Sequence, residues 1–357
     1  MKLRPIAAGA FALATITGMG MAGVTTASAA SAPVKDIPSY QHIVEIMMEN
    51  TSYGTIIGNS LAPNINTLAN TYGLATDYFG VTHPSEPNYM ANWAGDFFGV
   101  QDDNQFYCTP ELATTDPNCA GTTVDHTITA PSLAGQLTAA GLRWRGYFQS
   151  LPPIPPSGVI KTGPDANGPY TFKSPSNSVA LYASKHNPFV NFTDSQDALA
   201  NMVPDTQLAA DLAAGKLADF SLIVPDQCHD MHGTGGCGDA NGLISAGDSY
   251  VGATVSAIMA SKVWKQGRNA IVITWDEDDF SDQGQPGTGC CGADPGGGHV
   301  VTIVITNKVN HYPITDNTPY NHYSLLLSFE DAFRLPCLAN ACDAAAGVKP
   351  MTPLFHP

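Results

Sequence analysis

The chain has 357 residues, of which 43% are apolar and only 13% charged. That composition supports a sizeable core and excludes wholesale disorder. Its 15 Lys and Arg stand against 31 Asp and Glu, a formal charge of −16, which excludes a nucleic-acid backbone binder and a polybasic membrane-surface protein, since both need clustered cations.

At the N-terminus Lys2 and Arg4 precede an apolar, small-residue run from Ile6 to Val24, and Ala27-Ser28-Ala29 offers a small-x-small site. This is the pattern of a secretory signal peptide over 1–30, cleaved near Ala29 or Ala30. Gly9, Gly18 and Gly20 dilute the run, and polar sequence follows at once, which disfavours an anchor. The expectation is a secreted monomer with one domain, 31–357. No stable membrane insertion is expected, because no later segment approaches the roughly 18 apolar residues of a spanning helix. Eight cysteines, an even number, fit an oxidising compartment. Expected local disulfides are 108–119 and 337–342. Cys228, Cys237, Cys290 and Cys291 are expected to pair among themselves, without a vicinal 290–291 bridge.

After a short leader at 31–39, compact β-branched runs predict strands at 43–48, 75–79, 220–224, 270–275 and 300–306. Such runs suit a sheet covered on both faces. Helical spacing predicts helices over 132–140, 248–260 and 322–333, with another starting near Pro87. The stretches 101–125 and 151–187, rich in Pro and Gly, read as long ordered excursions rather than linkers. Strands alternating with helices give an α/β fold with a central, mostly parallel sheet flanked by helices on both faces.

Three predicted strands end directly in polar side chains: Glu49-Asn50, Pro225-Asp226 and Asp276-Glu277-Asp278-Asp279. Ligands of open α/β sheets bind beyond the carboxyl ends of the strands, so these groups are expected to converge on one cation site. Carboxylate and carboxamide oxygens suit Mg, Ca or Mn. The run Asp226 to His232 packs four metal- or proton-competent side chains into seven residues, and His299 follows Gly296-Gly297-Gly298. Asp226, Asp230, His232 and His299 therefore form a candidate second site for a metal or a phosphate. Ser85, between a short strand and a helix start, faces free N–H groups and is the candidate nucleophile.

Met48 to Tyr53, His83 to Tyr89, Asp226 to His232, Trp275-Asp276-Glu277 and Gly298-His299 occur in one order. Together they resemble the secreted bacterial phosphoesterases, a family of acid phosphatases and non-specific phospholipases C within the alkaline-phosphatase superfamily. The resemblance spans about 41–333. It implies a divalent metal (Ca, Mg, Mn or Zn) held by Glu49, Asn50, Ser85, Asp276 and Glu277, with Ser85 attacking phosphorus. Asp278 or Asp279 is an alternative to Glu277. It gives His83, Asn88, His229 and Asp230 roles in binding phosphate, with His229 and Asp230 interchangeable. His232 and His299 would assist catalysis or join Asp226 and Asp230 around a second metal. In two-metal members of the superfamily a histidine usually stands four residues after the aspartate; here that residue is Asp230. The expected activity is a phosphomonoesterase acting through a phosphoserine on a small-molecule or lipid phosphoester, at an acid-shifted optimum if a protonated histidine is required.

Other readings are a phospholipase C cleaving diesters and a non-catalytic secreted binding protein retaining the fold. A sulfatase is disfavoured, because Tyr89 stands where its signature needs arginine. Gly247-Asp248-Ser249 fits a helix N-cap better than an esterase nucleophile.

Overall fold

A computed structural model describes residues 36–103, 126–151, 181–281, 288–308 and 312–356. The predicted signal peptide and the 108–119 disulfide lie outside the described residues. In chain order the elements are β1 (His42–Met48), α1 (Tyr53–Ile56), α2 (Pro63–Thr71), β2 (Gly73–Ala75), β3 (Tyr78–Phe79) and α3 (Ser85–Ala94). Then follow α4 (Leu133–Ala139), β4 (Trp144–Phe148), β5 (Met202–Pro204), α5 (Gln207–Ala214), β6 (Phe220–Val224) and α6 (Ala240–Ala260). The chain closes with β7 (Asn269–Trp275), β8 (Thr302–Thr306), β9 (Ile314–Asp316), β10 (Tyr320–Asn321), α7 (His322–Phe333) and α8 (Thr352–Phe355).

Eight strands form one sheet in the order β5-β4-β6-β1-β7-β8-β2-β9, and β3 pairs with β10 separately. All ladders are parallel except those that β8 makes with β7 and β2. The mostly parallel α/β sheet is therefore as expected. Its central strands are buried along their length, as continuous Val/Ile runs covered on both faces should be. Register then does the positioning. Met48 pairs with Trp275 and Ile46 with Ile223 in parallel ladders, so Glu49, Asp226 and Asp276 leave the sheet along the same edge.

Several boundaries differ from the expected ones. The 75–79 strand is two short strands, β2 and β3, in different sheets. Helix α6 starts at Ala240, eight residues before Asp248, with the Asp239 side chain accepting from the Gly242 N–H as its cap. Asp248 is an interior residue that caps a different helix. Its carboxylate accepts from the backbone N–H groups of Asn64 and Ile65, at the start of α2. By length and apolarity α6 could cross a membrane; here Val251, Val255 and Ile258 are buried in the protein. The Cys337–Cys342 bridge is as expected, and Cys228 joins Cys237. Against expectation, Cys290 and Cys291 bridge each other. Cys291 adopts a left-handed φ of 58°, and the 228–237 segment folds back on itself, placing those Cα atoms 4.9 Å apart.

Helix α3 is buried at every residue. Its Trp93 ring packs 4.7 Å from Phe189 and 5.6 Å from Phe220, centroid to centroid. That aromatic lock sets the height of Ser85 at the other end of the helix. Beneath α3 lies Glu45 of β1, fully buried, with its Oε1 accepting from Asn92 Nδ2 at 2.7 Å. Burial pushes the Glu45 carboxyl up to about 8. The folded state thus holds this proton more tightly than the unfolded chain. The resulting stability is present below pH 4.5 and is lost as pH rises towards 8. Glu45→Gln keeps the acceptor and removes the charge. Its Tm should match the wild type at pH 4.5 and exceed it progressively up to pH 8 in thermal melts.

Candidate active site

Ser85 opens α3, its hydroxyl at the positive end of a ten-residue helix. Three residues on, the Asn88 carboxamide ties down the loop that delivers it. Asn88 Oδ1 accepts from the N–H groups of Val81 and Thr82, and its Nδ2 donates to the carbonyls of Thr82 and Pro84. Asn88 Nδ2 also reaches Glu277 Oε2 at 3.4 Å, so the carboxamide both braces the turn that carries Ser85 and faces the carboxylate cluster, the side on which its phosphoryl contact was expected.

The Ser85 hydroxyl lies 3.0 Å from Glu49 Oε2 and 3.2 Å from Glu277 Oε1. Asn50, at a left-handed φ of 41°, donates its backbone N–H to Asp276 Oδ1 and its Nδ2 to Glu277 Oε1. Asp276 is held from behind. His322 Nε2 donates to the Asp276 carbonyl at 2.6 Å, which leaves its Nδ1 to accept from Tyr78 Oη at 2.9 Å. Across the turn, a Cβ on Gly80 would meet the Asp276 carbonyl at 2.7 Å, and one on Gly298, at φ 81°, would overlap the Asp278 carboxyl. Glycines therefore let the 296–298 loop close over the acidic turn.

Glu49, Asp276 and Glu277 are all buried. Burial raises each carboxyl above the ordinary range. For Glu49 the neighbouring Asp276 and Asp230 raise it further, and for Asp276 Glu277 does the same. Three buried acids with raised pKa values, packed round a hydroxyl with a single buried ammonium, Lys185, near them, describe a cluster short of counter-charge. Two buried acceptors in it, Asn50 Oδ1 and Asp276 Oδ2, have no hydrogen-bond donor. The residues therefore fit a divalent cation. Glu49, Asp276, Glu277, Asn50 and Ser85 present only hard oxygen donors.

A second cluster adjoins the first through Glu49. His186 Nε2 is 3.4 Å from Glu49 Oε1, and His186 Nδ1 is 3.4 Å from Asp230 Oδ2. One ligand atom each of Glu49, His186 and His232 lie within 4.8 Å of one another, close enough to hold one ion. Tyr89 Oη donates to Glu49 Oε1, and its ring stacks on His186. Burial lowers the pKa of both His186 and His232, and Lys185 lowers each further. Lys185 itself is held above its usual value. Its burial opposes the charge, but Asp103, Glu49 and Asp276 outweigh that. Its Nζ donates to Asp103 Oδ2 at 2.7 Å and sits 3.3 Å from His232 Nε2.

The expected second site of Asp226, Asp230, His232 and His299 does not assemble as a unit. Asp230 and His232 belong to the cluster around His186. Asp226 accepts from Ser150 Oγ and the Cys228 N–H, and pairs at 2.8 Å with His229. That hydrogen bond raises the pKa of His229. His299 is sandwiched between Tyr53 and Phe79, its Nε2 on the Thr76 carbonyl. His83 Nδ1 reaches Glu277 Oε2 at 2.6 Å, and the ring stacks on exposed Phe280. Asp278 lies 3.5 Å from His83, and Asp279 accepts from Ser52 and Ser281; Glu277 is the member of that run touching Ser85.

Lys185, His186, Asp103 and Tyr89 were not among the expected site residues. The first three come from the flanks of the two loop excursions and arrive only through tertiary contact. Tyr89 had a legible signal: it is one helical turn from Ser85.

The phosphoesterase family profile matches residues 59–336, so Glu49 and Asn50 precede the matched span. A phosphatidylinositol-3-phosphatase of Mycobacterium tuberculosis is 30% identical over 309 residues, covering 86% of this chain and 82% of that protein. An acid phosphatase of Aspergillus fumigatus is 24% identical over 313 residues, covering 86% of this chain and 58% of that protein. The chain thus spans less than two thirds of the fungal relative. Among solved structures, a member of the alkaline phosphatase superfamily from Vibrio parahaemolyticus matches with a TM-score of 0.52 and 13% identity. That match covers 85% of this chain and 69% of the other, and it establishes the likeness of fold.

Proposed function

Because this chain belongs to the phosphoesterase family and is a hydrolase of phosphoric esters, we propose that it is a metal-dependent phosphomonoesterase with Ser85 as nucleophile. The observation that carries this is the Ser85 hydroxyl, held at a helix N-terminus between two buried carboxylates. Monoester preference is supported by the phosphatase names of the relatives. An exported location is supported by the signal-like sequence at 1–30 and the disulfides at 228–237, 290–291 and 337–342.

Glu49, Asn50, Asp276, Glu277 and Ser85 would hold a divalent cation, which when bound neutralises the acids and makes the hydroxyl more acidic. The chain's own residues do the rest. Ser85 Oγ bonds to phosphorus as the ester P–O bond breaks, and its proton passes to a carboxylate that already accepts it. The departing alkoxide takes a proton from the Lys185–His232 pair. With Nδ1–H donated to the Gly233 carbonyl, His232 turns its Nε2 lone pair towards Lys185, so the two share that proton. Water then attacks the phosphoserine and returns a proton to this pair, and Ser85 leaves with the proton the carboxylate held. Until the pair gives up that proton, Lys185, rather than a protonated His186 or His232, supplies positive charge to the phosphoryl oxygens. This replaces the protonated site histidine of the acid-optimum expectation.

The test is turnover of p-nitrophenyl phosphate beside p-nitrophenylphosphorylcholine by the purified protein. Monoester turnover at least about tenfold above diester turnover is expected. The reverse order would assign a phospholipase C, and no turnover of either would favour the binding-protein reading.

A further inference from the structure

Beside Asn50 and His232 opens a cavity of about 330 Å³, at the small end of ligand pockets. One wall is polar, from Thr51, Thr55 and Asp279; the other is apolar, from Met231, Leu243 and Ile244. We propose that this cavity receives the alcohol portion of the ester and selects compact apolar alcohols, aryl or short alkyl, over polyols. The assignment rests on the phosphomonoesterase reading above.

Three observations carry it. First, the cavity is continuous with the chemistry, because Asn50 belongs to the carboxylate cluster and His232 to the pair that would protonate the leaving oxygen. A group departing from phosphorus on that side enters the cavity directly.

Second, the apolar wall is built at some conformational cost. Met231 holds a left-handed φ of 83°, a conformation that non-glycine residues avoid. That turn sends its side chain under α6, where a Cβ on Gly247 would meet Met231 Cε at 2.7 Å. The other contact is matched. Gly233, at φ 79°, leaves room for Leu243 Cδ1, which a Cβ there would meet at 2.5 Å. Two glycines thus admit two of the three apolar side chains that line the wall.

Third, the wall is braced. The Cys228–Cys237 disulfide closes the loop that carries Met231, His232 and Gly233, and Asp239 caps α6 just beyond it. A rigid apolar wall facing a wet polar one suits an alcohol with one flat apolar face.

The test compares kcat/KM for 1-naphthyl phosphate and glycerol 2-phosphate. The wild type should favour the naphthyl ester. Leu243→Gln should lower that preference by about tenfold, the range typical of one altered contact in an apolar pocket, with the Ki of inorganic phosphate shifted less than about twofold. Ala240→Trp, at an exposed position on the rim, should crowd out the naphthyl ester without burdening the fold. A preference unchanged in both variants, or absent in the wild type, would overturn the assignment. So would an equal loss on both esters in both variants, which would mark the wall as structural. If the wild type turns over neither ester, the phosphoesterase reading fails first, and this one with it.

Discussion

Ser85→Ala is expected to lower turnover of p-nitrophenyl phosphate by on the order of 10⁴-fold, the scale typical of losing a nucleophile. The hydroxyl is not replaceable from its surroundings. Around it stand Glu49, Glu277, Asp276 and Asn50, which accept or orient but offer no second hydroxyl nearby. The Tyr89 hydroxyl is committed to Glu49, and burial raises its pKa far above ten. Alanine fits the helix start without strain, so circular dichroism should be unchanged. An acid quench of the wild type with radiolabelled phosphate substrate should leave label on the peptide containing Ser85. Retention of more than about a tenth of the activity in Ser85→Ala would sink the nucleophile assignment, and label on a different residue would name its replacement.

Chelation should abolish activity and lower the melting temperature, with a gap that grows as pH rises from 5 to 8. The sign follows from the buried acids. Burial raises the carboxyl pKa values of Glu49, Asp230, Asp276 and Glu277, so the metal-free folded state binds protons more tightly than the unfolded chain. Its stability is greatest at low pH and falls as pH climbs past the ordinary carboxylate range. A bound cation displaces those protons and reverses the trend. Metal binding should therefore release protons, and the apparent affinity should rise with pH. At a thousandfold excess over Kd the cation would stabilise by about 4 kcal/mol. Differential scanning calorimetry with EDTA and with added Mg²⁺, Ca²⁺, Mn²⁺ or Zn²⁺ reads this directly. A melting temperature indifferent to every metal at pH 8 would remove the cation from the account.

Much of the architecture was written in local pattern. The runs at 43–48 and 220–224 could be little else than buried strands, because continuous β-branched sequence is comfortable only where both faces of a sheet are covered. Helix α7 was legible to the residue from its apolar spacing. Helix α6 was not. Its first two turns carry Asn241, Gly242 and Ser245 rather than a continuous apolar stripe, and the Asp248-Ser249 pair imitated a cap. What Asp248 caps is α2, some 180 residues away in sequence, and no local rule reports that.

The site divides in the same way. Glu49, Asn50, Asp276 and Glu277 could be read directly, since polar residues that end adjacent parallel strands must share an edge. Ser85 could be placed at a helix start, but such turns are common, and its role as nucleophile came from the family resemblance. Asn88 and His299 could be named from the sequence, but not their contacts. One holds the nucleophile's turn, and the other is sandwiched between Tyr53 and Phe79. Lys185, His186 and Asp103 were beyond reach. Lys185 and His186 lie in a single 3-10 turn, Ser184–His186, too short for any periodic signal, and only its packing against α3 brings a buried ammonium and an imidazole to Glu49. The sequence by itself determined the sheet and the acids gathered at one of its edges, because strand pattern and strand polarity are local. Which bases and cations gather round Glu49 was decided by tertiary structure, because side chains that meet from distant parts of the chain leave no periodic trace in either segment.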